Sequence, residues 1–214
     1  MTHANCCSAL FHQNKALGIT QQTRVIDLPS YAFDVCWEHF VQALYFGGCI
    51  CIPSDAECLN DMTGAINRFE ATFLQLTPSV ARAVDPATVP SVETVSLIGE
   101  ALCMDDVTRW PREVKVLNVY GPCECTPTAT VATYGEDFFD SVTMGLSYGV
   151  NSWIVSTVQP DTLAPVGGEG ELVLEGPLVG RGYLNAPEQN EKALINNPAW
   201  LSRGNGGSVP GRQG

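Results

Sequence analysis

Two patterns of apolar and polar positions alternate along the first 134 residues. Short apolar runs, such as Val25–Leu28 and Cys49–Ile52, are each followed by a proline and have the length of β-strands. Between these two runs, apolar residues recur at helical spacing from Phe33 to Tyr45, which predicts a helix with one apolar face. A Gly-Gly pair at 47–48 ends that helix, because glycine readily adopts the left-handed conformation of a helix C-terminus.

The same alternation continues to Tyr120. Ser54 and Glu57 have the spacing of a capping box and open a second predicted helix, which carries apolar residues as far as Phe69. Three further strands and one short helix are predicted, over Phe73–Leu76, Val95–Ile98, Val114–Tyr120 and Met104–Trp110. Strands separated by helices indicate βαβ units, so the sequence predicts an α/β fold with a parallel sheet flanked by helices.

The pattern changes after Tyr134. Two strand-like stretches, Ser152–Val158 and Glu169–Leu174, are joined by a turn rich in Pro and Gly, which predicts a smaller antiparallel or barrel-like β-subdomain. Pro187 occupies the first turn of one more predicted helix, which extends to Ile195. We therefore expect three segments: an α/β segment over residues 1–135, a β-rich segment over 136–200 and a flexible Gly-rich tail over 201–214.

The chain is acidic and contains few charged residues. Its 214 residues include 23 Asp and Glu against 11 Lys and Arg, for a net charge of −12, and such a surface repels nucleic acids and anionic membranes. The N-terminal residues lack the pattern of a secretory signal, and no apolar run has the length of a membrane span. The nine cysteines form no Cys-x-x-Cys pair, so a reduced, cytoplasmic protein is expected.

Polar residues collect where the predicted parallel strands end. Asp34 follows the first strand, Ser79 the third, Glu100 the fourth and Glu124 the fifth. Taken alone, each has a structural explanation, such as a helix N-terminus for Asp34. Because ligands bind outside the carboxyl ends of parallel strands, their convergence at one edge favours a binding site instead. The sequence has no glycine-rich phosphate loop and no Gly-x-Ser-x-Gly motif, so the residues alone predict a ligand-binding α/β domain with an acidic site.

Three stretches of the chain, in the same order and at similar spacing, resemble motifs of one family. Residues 31–35 read Tyr-Ala-Phe-Asp-Val, residues 118–124 read Asn-Val-Tyr-Gly-Pro-Cys-Glu, and residues 170–184 begin with Gly-Glu-Leu and end with Gly-Arg-Gly-Tyr-Leu. Together they resemble the adenylation domains of nonribosomal peptide synthetases, in the superfamily of adenylate-forming enzymes. The resemblance extends over roughly residues 1–212.

The resemblance implies an α/β large domain with a β-subdomain, and an AMP-forming ligase activity. An enzyme of this family uses ATP and Mg²⁺ to convert an amino acid or a related carboxylic acid into an acyl-adenylate and pyrophosphate. It then loads the acyl group onto the phosphopantetheine thiol of a partner carrier domain. The implied partners are therefore the acid, the carrier domain and the other segments of the adenylation domain, with no nucleic acid and no membrane.

The resemblance also implies roles for individual residues. Asp34 would pair with the α-ammonium group of the substrate, and Glu124 would be the catalytic carboxylate that helps to hold Mg²⁺. The nucleotide would contact Gly99, Glu100, Ala101, Asn118, Tyr120, Gly121, Pro122 and Cys123. Besides Asp34, the substrate pocket would be lined by Val35, Trp37, Gln75, Ser96, Ile98, Val119, Pro127 and Thr128. Because this lining is mostly apolar, it favours a medium-sized neutral acid.

The sequence also departs from the family pattern. The passage from Asp34 to Glu38 is one residue shorter than in the family, and Cys123 stands where a threonine usually contacts the α-phosphate. The family's phosphate loop would precede Met1, whereas its Thr-Gly-Asp motif and the subdomain with the catalytic lysine would follow Gly214. The chain is thus expected to be truncated at both ends and incompetent alone. The alternatives are a non-catalytic remnant that binds nucleotide or amino acid, and an acyl-CoA or aryl-acid ligase relative.

Overall fold

The protein folds into a mostly parallel sheet flanked by helices, together with a small antiparallel sheet. The structure is a computed structural model that describes residues 1–134, 142–159, 161–196 and 198–203. The first five strands are β1 (Arg24–Ile26), β2 (Cys49–Cys51), β3 (Phe73–Leu76), β4 (Thr94–Ile98) and β5 (Lys115–Tyr120). They pair in parallel in the order β2-β1-β3-β4-β5, as the α/β pattern predicts.

Two antiparallel strands, β6 (Thr130–Tyr134) and β7 (Leu146–Ser147), extend the sheet beyond β5 to seven strands among the described residues. The connection from β5 to β6 spans only residues 121–129, which is too short for the crossover that a parallel strand needs. Since β7 belongs to this sheet, the main sheet extends past residue 135. The three-segment division stays a prediction, and residues 204–214 of the predicted tail lie outside the described residues.

The second sheet pairs β8 (Asn151–Val155) with β9 (Glu171–Glu175) in antiparallel register, which confirms the predicted change of pattern. Two short helices follow, α7 (Pro187–Ala193) and α8 (Ala199–Arg203). The Asn5 side chain of the N-terminal helix α1 (His3–Leu17) donates hydrogen bonds to the carbonyls of Pro177 and Val179. The segment that leaves β9 is therefore attached to the helical layer of the main sheet.

The remaining helices are α2 (Asp34–Tyr45), α3 (Asp55–Asn60), α4 (Met62–Arg68), α5 (Pro78–Ala81) and α6 (Met104–Thr108). The single helix predicted from Ser54 to Phe69 is in fact divided between α3 and α4. Ser54 and Glu57 form the expected capping box at the start of α3, whereas the Asp61 side chain accepts the Gly64 amide and starts a second helix.

The predicted apolar face of α2 is wrong, although the helix itself is confirmed. Phe33 at its N-terminus and Leu44 and Tyr45 near its C-terminus are exposed, whereas Glu38 and His39 are buried. The helix turns a polar side inward because the sheet face beneath it carries polar side chains at the same level. The apolar stripe that the spacing predicts therefore includes positions on the solvent side of the helix.

Each face of the main sheet packs against its own apolar cluster. One cluster joins alternate residues of β3, β4 and β5 to α4 and α6, and it includes Leu74, Leu97 and Trp110. The other joins the opposite faces of the same strands to α1 and α2, and it includes Phe73, Leu117 and Val119. In the part of the chain that the structure describes, no helix combines the length and apolar character required to cross a bilayer.

Candidate functional site

The carboxyl ends of β3 and β4 are connected by hydrogen bonds between the predicted site residues. Glu100 Oε2 accepts the Ser79 backbone amide at 2.9 Å and the Ser79 hydroxyl at 2.6 Å. These bonds lower the pKa of the Glu100 carboxyl, since they favour its charged form. Gly99, directly before it, has a φ of +86°, so the chain turns there in a conformation that favours glycine. The loops that follow β3 and β4 are thus joined to each other at this edge of the sheet.

Asp34 is the first residue of α2 and carries an unsatisfied buried oxygen. Its Oδ2 has no hydrogen-bond partner among the described residues and is sealed from solvent. The Cys123 thiol lies beside this carboxylate, and the neighbouring Asp34 together with burial raises the pKa of the thiol to about 11. A buried carboxylate oxygen without a partner is costly, so this group is arranged to receive a hydrogen-bond donor.

The turn after β5 brings the backbone into close contact with itself. A Cβ added at Gly121 would lie 1.7 Å from the Pro127 carbonyl oxygen, so only glycine fits there. Thr126 adopts a left-handed φ of 57°, and its hydroxyl donates to the Leu178 carbonyl at 2.6 Å. Gln13 of α1 donates to the carbonyls of Thr126 at 2.5 Å and Thr128 at 2.7 Å. The turn is therefore held by contacts from two distant parts of the chain.

Glu124 connects this turn to the segment after β9. Its carboxylate accepts a hydrogen bond from the Tyr183 phenol, and its backbone carbonyl accepts the Gly180 amide at 2.8 Å. Among the described residues, no group of three or more His, Cys, Asp or Glu side chains is arranged to hold a metal ion. A single partly exposed carboxylate does fit Mg²⁺, which is commonly bound by one or two carboxylates together with waters and substrate phosphates.

Most of the predicted pocket lining is buried in one place. Six of these residues are buried on β3, β4, β5 and the following turn: Gln75, Ser96, Ile98, Val119, Pro127 and Thr128. Val35 packs against the cluster that contains Ile98 and Val119, whereas Trp37 is only partly buried. The contact from α2 to the polar part of this lining comes from Glu38, whose Oε2 accepts Gln75 Nε2 at 3.2 Å.

The nucleotide residues predicted at the end of β5 have different environments. Tyr120 is 42% exposed, so its ring is accessible to a ligand. Asn118 donates to the Thr143 carbonyl at 2.7 Å and thereby holds the segment that precedes β7. Pro122 leads into a short 3-10 turn, Cys123–Cys125, and Ala101 is exposed beside Glu100. The edge therefore offers an exposed surface next to the buried residues of the predicted pocket lining.

A buried polar network on α2 was missed by the sequence interpretation. His39 contacts Asp27 through Nδ1 at 2.9 Å and Gln75 through Nε2 at 3.1 Å, and Gln75 continues to Glu38. Gln42, one turn further along α2, donates to Gln13 at 3.1 Å. The signal in the sequence was the run of polar residues inside the predicted apolar helix. The large apolar residues around this run dominate the periodicity and so hide it.

Known proteins resemble this chain over its whole length. The family described as AMP-binding enzyme matches residues 1–184. Nonribosomal peptide synthetase ungA of Aspergillus violaceofuscus is 46% identical over 215 residues, covering 100% of this chain and 2% of that protein. Nonribosomal peptide synthetase sidD of Aspergillus fumigatus is 41% identical over 214 residues, covering 100% of this chain and 10% of that protein.

Solved structures show the same fold. The Vibrio cholerae adenylation domain AlmE, solved with glycyl-adenosine-5'-phosphate, superposes with a TM-score of 0.79 at 24% identity, covering 99% of this chain and 40% of that one. IdnL1 superposes with a TM-score of 0.79 at 19% identity, covering 92% of this chain and 43% of that one. The chain thus spans less than half of these structures and a tenth or less of the two curated relatives. With a family match over residues 1–184, the chain belongs to the AMP-binding enzyme family.

Proposed function

We propose that this chain is the part of a nonribosomal peptide synthetase adenylation domain that binds the amino acid and the nucleotide. In such a domain, an amino acid reacts with ATP to form an aminoacyl-adenylate and pyrophosphate. The observation that carries the proposal is the unpartnered Oδ2 of Asp34, located at the sheet edge where the family motifs converge. The similarity to curated synthetases over the full length of this chain supports the same activity.

Asp34 would hold the α-ammonium group of the substrate. An ammonium group offers three donors and a positive charge, so it satisfies the orphaned oxygen and neutralises the carboxylate at once. As the first residue of α2, Asp34 would present its carboxylate to the substrate beside Cys123. An acid without an α-amino group would leave the buried Oδ2 of Asp34 unpaired, which argues against the acyl-CoA and aryl-acid ligase alternative.

The nucleotide would lie along the open edge next to this pocket. The half-exposed Tyr120 would stack against adenine, and the Gly99–Ala101 turn would contact the sugar and phosphates. The close approach at Gly121 shapes the turn that presents Pro122 and Cys123 to the α-phosphate. The glycyl-adenosine-5'-phosphate bound by the structural relative AlmE has the two halves that these surfaces would receive.

Glu124 would contribute one carboxylate oxygen to Mg²⁺. When bound, the ion would neutralise phosphate charge during attack on the α-phosphate. Tyr183 would orient the carboxylate through its hydrogen bond, and the Gly180 amide would fix the backbone of the same residue. The further partners would be the remaining segments of the adenylation domain, and a carrier domain whose phosphopantetheine thiol accepts the activated acid.

Binding of non-hydrolysable analogues tests this assignment on the 214-residue chain. Titration calorimetry would compare a panel of aminoacyl-sulfamoyl-adenosines with their desamino counterparts, which differ only in the α-amino group. We expect the amino compounds to bind at least tenfold more tightly, and Asp34→Asn to remove that preference. Glu113→Asn, an exposed carboxylate before β5, is the control. Equal binding of amino and desamino compounds would point to the acyl or aryl ligase alternative instead.

A further inference from the structure

Glu38 is a buried carboxylate of which only one oxygen is satisfied. The residue is 2% exposed, and its Oε2 accepts Gln75 Nε2 at 3.2 Å. Its Oε1 is sealed from solvent and has no hydrogen-bond partner among the described residues. Nothing in the proposed binding of nucleotide or α-amino group uses this carboxylate.

Other unsatisfied polar atoms surround the same position. The Thr128 hydroxyl is fully buried and lies near enough to Glu38 to lower the pKa of its carboxyl, but it completes no hydrogen bond among the described residues. Ser96, directly across from Gln75 in the β3–β4 register, likewise has a buried and unpartnered hydroxyl. Gln75, Ser96 and Thr128 are three residues of the predicted substrate pocket. Several orphaned oxygens in one place indicate that a donor from outside the chain completes the site.

The spacing on α2 relates Glu38 to Asp34. The two residues are four positions apart, so their side chains lie on the same side of the helix, about one turn of 5.4 Å from each other. Each carboxylate has one buried oxygen without a partner. An amino acid whose α-ammonium group meets Asp34 would extend its side chain along the helix toward Glu38.

We propose that Glu38 determines specificity, and that the amino acid bound by this chain has a side chain ending in a cationic nitrogen donor. The proposal rests on the proposed function, because it uses the same pocket and the same role for Asp34. The substrate would thus present two positive groups to two carboxylates one helical turn apart. Glu38 changes the conclusion drawn from the mostly apolar lining, which by itself favours a neutral acid.

The charges around Glu38 agree with this assignment. Burial raises the pKa of the Glu38 carboxyl to about 7, and the neighbouring charge of Asp34 adds to the rise. His39, which contacts Asp27, opposes the rise, as do the Thr128 and Gln75 side chains. A cation bound against Glu38 would favour the charged carboxylate and release its proton. Affinity for a cationic side chain should therefore increase as the pH rises through 7.

A pair of isosteric ligands tests the proposal on the 214-residue chain. Ornithinyl- and norleucyl-sulfamoyl-adenosine have side chains of the same length, and they differ in an ammonium against a methyl group at the end. By calorimetry at pH 8, we expect the ornithinyl compound to bind at least tenfold more tightly, and this ratio to decrease at pH 6. Glu38→Gln should abolish the ratio, whereas Glu93→Gln, an exposed carboxylate at the opposite end of β4, should preserve it.

The outcomes separate the two proposals. Tighter or equal binding of the norleucyl compound to the unmodified chain overturns the role of Glu38 but leaves the adenylation function intact. A ratio that persists in a folded Glu38→Gln variant overturns it as well. If neither compound binds the unmodified chain, the proposed function fails, and the specificity proposal fails with it. Since the ligand pair is compared first on the unmodified chain, this comparison does not depend on the folding of any variant.

Discussion

The Tyr183 phenol donates a hydrogen bond to the Glu124 carboxylate, although 59 residues separate them in sequence. The bond to Glu124 raises the pKa of the phenol, since it holds the proton beside a negative charge. The carbonyl of the same Glu124 accepts the Gly180 amide at 2.8 Å. The segment after β9 therefore positions the one carboxylate that we assign to Mg²⁺.

The role assigned to Glu124 predicts a magnesium-dependent difference in nucleotide affinity. ATP affinity of the 214-residue chain would be measured by calorimetry in Mg²⁺ and in EDTA. Glu124→Gln should remove most of the difference between the two conditions, because the amide is a poor ligand for a hard cation. Tyr183→Phe should lower the affinity in Mg²⁺ about threefold to tenfold by releasing the carboxylate. Tighter binding by Tyr183→Phe would mean that the phenol competes with the ion.

Substitution of Gly121 is predicted to destabilise the fold through a steric clash, an effect that can be separated from backbone strain. An added Cβ would meet the Pro127 carbonyl oxygen at 1.7 Å, so Gly121→Ala should lower the free energy of unfolding by about 3 kcal/mol or more. Gly167→Ala is the matched control: its φ is +83°, but no atom lies within 4 Å of the added Cβ, so about 1 kcal/mol is expected. Urea unfolding of both variants measures the two losses in the free energy of unfolding. Equal losses would show that the turn can move away from the contact.

The hydrogen bonds of Gln13 predict that the N-terminal helix stabilises the turn after β5. Gln13→Leu would leave the buried carbonyls of Thr126 and Thr128 without the donor that they share, at a cost of about 2–4 kcal/mol in the free energy of unfolding. Gln189→Leu, on the exposed surface of α7, controls for the change of residue type and should be nearly neutral. If Gln13→Leu proves as stable as the control, the hydrogen bonds contribute little. Unfolding by urea measures both variants.

Glu38 predicts that stability falls as the pH rises toward neutrality. Below its ordinary pKa of 4.5, the carboxyl is protonated in both the folded and unfolded states. Between 4.5 and about 7, the folded protein retains a proton that the unfolded chain has lost, so the free energy of unfolding decreases with pH. At 1.36 kcal/mol per pKa unit, the total decrease is about 3 kcal/mol.

The corresponding experiment is urea unfolding at pH 5, 6, 7 and 8. Glu38→Gln lacks the ionisation, so its stability relative to the unmodified chain should rise between pH 5 and 7 and then level off. Glu93→Gln, whose carboxylate is exposed, should show no such trend. A stability difference that is constant across this range would contradict a buried carboxyl with a raised pKa.

The parallel strands could be predicted because each is a short, mostly apolar run followed within three residues by Pro or Gly. The same reasoning missed α1, since two of its buried positions are the polar residues Asn5 and Gln13. Their partners are backbone carbonyls more than a hundred residues away, which no local pattern contains. The capping box of Thr2 and Asn5 was the available local signal. Likewise, β6 could have been predicted as antiparallel from the short connection that precedes it.

At the site, sequence reasoning assembled the residues of the sheet edge but not those of the helix above it. The strand ends were predictable because parallel strands bring their carboxyl ends to one edge. Glu38 and His39 could not be placed, because burial of a charged residue depends on polar partners that only the tertiary structure provides. The large aromatic residues of α2 gave a misleading orientation of the helix. On α2, polar residues are therefore buried and several large apolar residues are exposed, which is the reverse of the usual pattern.

The Gln75 amide turns a different end toward each of two neighbours, so its orientation is linked to the proton at Glu38. Its oxygen faces His39 Nε2 and its nitrogen faces Glu38, and an amide cannot present the same end to both neighbours. If Glu38 gains a proton and donates it to Gln75, the amide must rotate by half a turn, which brings its nitrogen to face His39 Nε2. The amide thus couples the protonation of Glu38 to the hydrogen bond that it makes with His39, which also contacts Asp27 at the end of β1. A ligand bound against Glu38 would then alter the hydrogen bond between Gln75 and the His39 imidazole, although the imidazole does not touch the substrate.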